Sequence, residues 1–184
     1  AKYDQLQDKP QMMAPEAWNI HKGEDGAEVI VGICDSGVEW FHDDLVDNVH
    51  HNLGEDADGD GVVIEWDSTQ SKWVIDPGDI NGVDDDGNGY IDDVIGWNFT
   101  SKRDGTEDYD PFASSNNRHG THVAGISAGV TDTEIGISAA SWNVKFLTTK
   151  HSINFQGSAR AIYHGYDGIV YLAENNADII NMSW

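Results

Sequence analysis

One cysteine, four prolines and ten basic residues stand in a chain of 184. The single thiol, Cys34, leaves no internal disulfide and no cysteine-based zinc site. It lies in an apolar run and reads as a small buried hydrophobe. Long hydrophobic runs are missing as well. The longest clear one is Val29 to Cys34, far short of the ~20 apolar residues of a membrane span. Basic charge is scarce. Ten Lys and Arg against 33 Asp and Glu leave a formal net charge of −23. That sign disfavours nucleic acid, whose phosphates would be repelled, and anionic membrane surfaces. No secretion signal opens at Ala1, which reads as a mature chain or an excised piece.

Against these absences, 39% of the residues are hydrophobic, with seven Trp, six Tyr and five Phe. A disordered acidic tail does not carry that apolar load, so a packed core is expected. The length suits one ordinary domain or most of a larger one.

The acid is concentrated. Between Asp35 and Asp110 there are 22 Asp or Glu and three basic residues, a net −19. Two stretches in it alternate oxygen-bearing residues with glycine at the sixth position. That spacing wraps a loop around Ca²⁺, with the seventh residue offering its carbonyl. The first loop predicts ligands at Asp56, Asp58, Asp60, Val62 (carbonyl) and Asp67. The second predicts Asp84, Asp86, Asn88, Tyr90 (carbonyl) and Asp92, with Ile95 where an EF-hand has its twelfth-position Glu. No flanking helices are apparent. The bland reading is a solvated acidic surface.

Along the chain, strands and helices alternate. Ala14-Pro15-Glu16-Ala17-Trp18 predicts a helix start, running to about Gly23. Glu28 to Cys34 predicts a buried strand, and Val94–Phe99, Trp142–Leu147 and Asp178–Ser183 three more. A hairpin is expected around Val62–Glu65 and Lys72–Ile75. His119–Gly129 and Ser158–Asn176 predict helices. The order implies an α/β fold in three layers around a parallel sheet.

Asp35 ends a buried strand, and His119 opens a helix in the run His119-Gly120-Thr121-His122. A carboxylate at the carboxyl end of a parallel strand and a histidine at a helix start make an acid–base pair. The carboxylate holds one ring nitrogen, and the other is free to take a proton from a hydroxyl nucleophile. Each residue also has an ordinary role, Asp35 as a turn residue and His119 as a structural histidine. His119 and His122 at i, i+3 offer a weak metal pair, without the intervening Glu of a zincin.

Three segments resemble blocks of the subtilisin-like serine peptidases, in that family's order: Val29–Leu45 (VIVGICDSGVEWFHDDL), Asn117–Gly129 (NRHGTHVAGISAG) and Ala177–Trp184 (ADIINMSW). Ala14–Trp18 and Asp84–Phe99 look like segments common in secreted bacterial members. The resemblance implies the family's α/β fold, with Asp35 as triad carboxylate and His119 as general base. It implies an edge strand around Ser183 and Trp184 that pairs with a protein or peptide substrate, with Gly157 across the cleft. It also implies a calcium site using Asp44 and Asp132, with Asp4 as an N-terminal candidate, and a secreted enzyme stabilised by structural Ca²⁺. On this reading, residues 46–116 are an acidic, calcium-binding insertion.

The Gly-Thr-Ser-Met-Ala type of nucleophile block is absent from these 184 residues, as is the later Asn of the oxyanion hole. Neither Ser36 nor Ser183 has that context. The expectation is therefore the N-terminal portion of one catalytic domain, inactive alone and apt to associate through an open sheet edge. Its natural partner would be the remaining C-terminal part of the same domain. A different reading is a non-catalytic calcium-binding or adhesion module on a degenerate peptidase scaffold.

Overall fold

A computed structural model describes residues 13–24, 26–100, 108–113, 117–140, 142–153 and 161–184. Its strands are β1 (Val29–Asp35), β2 (Ile64–Asp67), β3 (Lys72–Ile75), β4 (Gly96–Asn98), β5 (Val144–Lys150) and β6 (Ile179–Asn181). Its helices are α1 (Ala14–Trp18), α2 (His119–Ala128) and α3 (Gly165–Glu174).

Four strands form a parallel sheet in the order β4-β5-β1-β6. β1 lies between β5 and β6, which is why its run of Val, Ile and Cys is apolar on both faces. Its register pairs Val29 with Val144 and Asp35 with Lys150. β2 and β3 make a separate antiparallel hairpin in which Trp66 faces Trp73.

Successive residues of a strand point to opposite faces, and the core divides accordingly. Val31, Ile33, Val144 and Phe146 join one cluster with Ala124 and Ala128 of α2. Ile30, Cys34 and Leu147 join another with Tyr171 and Leu172 of α3. The sheet is thus the middle of three layers. Small side chains on α2 let that helix sit close to the sheet.

Two helices are shorter than their sequence patterns. α1 stops at Trp18, and the chain around its end is tied to Ala140 and Trp142. Trp18 Nε1–H donates to the Ala140 carbonyl at 2.8 Å, and Trp142 N–H donates to the Lys22 carbonyl. α3 begins only at Gly165. Before it, Tyr163 exchanges hydrogen bonds with His151, and His164 adopts a left-handed φ of 56°.

His151 is fully buried, stacked on Phe99, with Nδ1 2.7 Å from the Tyr163 carbonyl and Nε2 2.8 Å from Thr149 Oγ1. Burial pushes its pKa down to about 4. The unfolded chain therefore binds the extra proton first. This contribution to stability is full above about pH 6.5 and is lost as pH falls toward 4, to a total of roughly 3 kcal/mol. Denaturation at fixed calcium should show wild type losing more stability than His151→Gln between pH 7 and pH 4.5. Parallel losses would overturn this.

Candidate active site

The sequence Asp35-Ser36-Gly37 folds into a cup at the carboxyl end of β1. Asp35 is 1% exposed, and its Oδ1 accepts the Ser36 N–H at 2.6 Å. Ser36 Oγ in turn accepts the N–H of Gly120 at 3.0 Å, tying the first turn of α2 to this cup. His119 Nδ1 lies 2.8 and 2.9 Å from the two Asp35 oxygens. The imidazole is 54% exposed, so its far side faces solvent while its near side is held by a buried acid.

Gly120 makes this approach possible. A Cβ there would overlap the Gly37 carbonyl oxygen and lie 3.1 Å from Asp35 Cβ. The open groove beside the pair is lined by Glu39, His42, Arg118, His119, Thr121 and His122. Thr121 Oγ1 accepts the Glu39 N–H and fixes one wall. Among the described residues, no group of three metal-ligating side chains includes His119 or His122.

Of the residues expected at a substrate strand, Ser183 follows β6 and is exposed. Its hydroxyl donates to Asn181 Oδ1 at 2.5 Å. The Trp184 indole N–H donates to the Cys34 carbonyl at 2.9 Å, so the ring covers the end of β1 beside Asp35. Gly157 and Asp4 lie outside the described residues.

The acidic loops bring together a set different from the one that alternation picks. In the second loop, Asp86 and Asp93 meet Glu55, three carboxylates close enough to share one ion. Asn88 bridges Asp86 and Asp93 through its amide. Asp92 turns away: its φ is 57°, and it accepts the N–H groups of Asn81 and Gly82. Asp84 accepts from Gly89 through Oδ2 and keeps Oδ1 buried without a hydrogen-bond partner. The Tyr90 ring packs against Trp97, Phe99 and Tyr171.

Burial, together with the charges of Asp86 and Glu55, pushes Asp93 up to about 7, against hydrogen bonds from Tyr171 and Asn88. Burial also raises Glu55. Groups so crowded with like charge fit a cation. Sequence reasoning missed Glu55 and Asp93. The signal available for Asp93 was that Asp92-Asp93 offers two candidates at one step of the repeat.

In the first loop, Asp56, Asp58 and Asp60 converge. Asp67 does not join them. It closes the β2–β3 turn by accepting from Thr69 and Gln70, which holds its carboxyl down at about 2. Elsewhere, Asp44 is 4% exposed, accepts the Ile137 N–H through Oδ2, and has Oδ1 buried and unpartnered. Its carboxylate fills the space above Gly136. Asp132 is exposed in the same loop with a φ of 66°.

A buried carboxylate holding one nitrogen of a solvent-facing imidazole, at the carboxyl edge of a parallel sheet, is consistent with part of a catalytic triad. The family behind it follows from comparison with known proteins. The subtilase family matches residues 26–184, and the chain belongs to this family of serine peptidases. It is 29% identical over 156 residues to subtilisin-like protease 1 of Plasmodium falciparum, covering 83% of this chain and 18% of that protein. It is 28% identical over 182 residues to halolysin of Haloferax mediterranei, covering 99% of this chain and 25% of that protein. The halolysin-like extracellular serine protease Nep of Natrialba magadii matches at 28% over 182 residues, 98% of this chain and 25% of that protein. The chain thus spans a quarter or less of the length of these curated relatives.

Proposed function

We propose that this chain supplies the Asp and His half of a secreted serine endopeptidase. The observation that carries the reading is the contact between buried Asp35 and His119 Nδ1. Asp35 accepts the Nδ1 proton and so fixes the tautomer that leaves Nε2 basic. His119 Nε2 then takes the proton of a serine hydroxyl outside these 184 residues. The serine oxygen bonds to the scissile carbonyl carbon. When the C–N bond breaks, His119 returns the proton to the departing amine. Ser183 and Trp184, with Gly157 opposite, would align the substrate main chain along the sheet edge next to β6.

Residues 46–116 form, on this reading, an insertion that calcium stabilises. Glu55, Asp84, Asp86, Asn88 and Asp93 would hold one ion, with Tyr90 adding its carbonyl. Asp44 and the 130–137 loop, with Asp132, would hold another. The unpartnered buried oxygens of Asp84 and Asp44 support both. Bound calcium supplies charge neutralisation and ties loops together. No step of the cleavage runs through it. A secreted location is supported by the similarity to the extracellular protease of Natrialba magadii.

The test is protein hydrolysis by the full-length enzyme, with loss of activity after a serine-directed inhibitor. The 184-residue chain alone should show none. Hydrolysis by that chain which His119→Ala abolishes would refute a nucleophile outside it. A second experiment addresses Trp184. Trp184→Leu in the full-length enzyme should change the cleavage profile over a peptide library, and identical profiles would remove it from the substrate site.

A further inference from the structure

We propose that the tryptophan-bearing face of the β2–β3 hairpin, centred on Trp66 and Trp73, is a docking surface for a lysine- or arginine-rich stretch of polypeptide. The surface lies apart from the catalytic groove, since the hairpin contributes no residue to the lining beside His119.

Alternation along the strands gives the hairpin two faces. Ile64 pairs with Ile75 and Trp66 with Trp73, so these four side chains share one face. At its inner end that face is covered. Ile64 belongs to the core, and Trp73 and Ile75 pack against it. At its outer end the cover is incomplete, and Trp66 is 51% exposed. The two indoles meet edge to face with centroids 5.4 Å apart, an arrangement that leaves ring faces open. A cross-strand aromatic pair steadies a hairpin. That accounts for the pairing but gives the exposed half of Trp66 no task. Tryptophan is also the side chain most enriched where binding energy concentrates.

Charge identifies the occupant. Lys72 is the only basic residue between Asn52 and Phe99, and its register partner is Asp67. Glu65, next to Trp66, is exposed, as are Asp58 and Asp60 in the loop that leads into β2. Hydrogen bonds from Thr69 and Gln70 hold the Asp67 carboxyl at about 2, so it is ionised across the neutral range. A second copy of this chain would bring its own net −23 into this field. Nucleic acid and anionic lipid would be repelled as well. A cationic side chain is instead drawn in, and an indole face is its best aromatic seat. Lys and Arg fit twice over, with the charged head above a ring or beside an acid and the methylene stem along apolar surface. A run of such residues meets the tryptophan pair and the acidic rim together. On the peptidase reading, this surface would hold a basic segment of a protein substrate outside the catalytic groove.

The experiment measures binding of fluorescent octalysine and octaarginine to the full-length protein carrying His119→Ala, so that neither peptide is cut. Saturating CaCl₂ keeps any ion-binding loop occupied. Both peptides should bind, more weakly as NaCl is raised, and octaglutamate and a glycine–serine octamer should not. Trp66→Thr keeps a good strand former and should weaken octalysine binding at least about fivefold. Glu65→Lys leaves both indoles in place and should weaken it at least about threefold. Circular dichroism checks the fold of each variant. A folded Trp66→Thr that binds octalysine as tightly as its parent would overturn the site, leaving only a diffuse attraction to an acidic chain. An unchanged affinity in Glu65→Lys would do the same, and that variant decides the matter if Trp66→Thr does not fold. Equal binding of the glycine–serine octamer would overturn the cationic occupant, and no binding of either basic peptide would overturn the proposal. Binding is read on a chain that cannot cleave, so none of these results bears on the Asp35–His119 reading.

Discussion

Replacing His119 by Ala in the full-length enzyme should lower kcat by about 10⁶-fold with the fold intact, the magnitude known for the subtilisin triad histidine. The imidazole contacts both oxygens of the Asp35 carboxylate, and more than half of its surface is open. Its removal therefore leaves little cavity in the core. On the proposed mechanism, the substitution removes the base that takes the serine proton and the acid that returns it. Asp35→Asn should cost less, about 10⁴-fold, because an amide favours the wrong tautomer without removing the ring. The proposed substrate contacts are Gly157, Ser183 and Trp184, so on that reading KM should move little in His119→Ala. The measurement is steady-state kinetics on a short peptide, with circular dichroism as the folding control. A folded His119→Ala variant retaining a tenth of wild-type kcat would end the assignment of His119 as base.

Gly120→Ala should be a damaging conservative change outside the Asp–His pair, with kcat/KM falling by at least about 10²-fold. The new methyl would overlap the Gly37 carbonyl oxygen, which is backbone and has no rotamer to yield. Either α2 lifts from the end of β1 or the Asp35-Ser36-Gly37 cup shifts. Both break the Gly120 N–H contact to Ser36 Oγ and carry His119 off Asp35. Overpacking of this kind also costs about 1–3 kcal/mol of stability. Gly125→Ala, on the same helix, is the control. Its nearest neighbour would be Ile137 Cδ1 at 3.6 Å, an ordinary contact. Helix propensity favours Ala there by about 1 kcal/mol. Thermal unfolding and kinetics on the two variants should diverge, and equal behaviour would show that helix propensity outweighs packing at Gly120.

The acidic segment shows where local pattern fails. Alternation correctly picks out oxygen-rich loops, because side chains two apart in an extended turn share a side. It cannot see a left-handed residue. At Asp92 the positive φ rotates the carboxylate toward the Asn81 and Gly82 amides, and Asp93 takes the inward position. Nor can it see a partner that arrives from another loop. Glu55 reaches Asp86 across 31 residues, and Asp79 returns to the Asp56 loop after a whole hairpin. Asp67 has the right spacing, but its own turn offers it closer donors.

By itself, the sequence determined the alternation of strands and helices, the apolar centre of the sheet and the two blocks that bear Asp35 and His119. Those features rest on short-range periodicity and on residue types that only a few local structures accept. Only the tertiary structure decided the distances. The parallel sheet sets the end of β1 under the first turn of α2, and a missing Cβ at Gly120 lets 84 residues of separation close to 2.8 Å. The same long-range closure chose which acids face each other. Convergence of carboxylates is a property of how loops meet, and no spacing along one strand of chain encodes it.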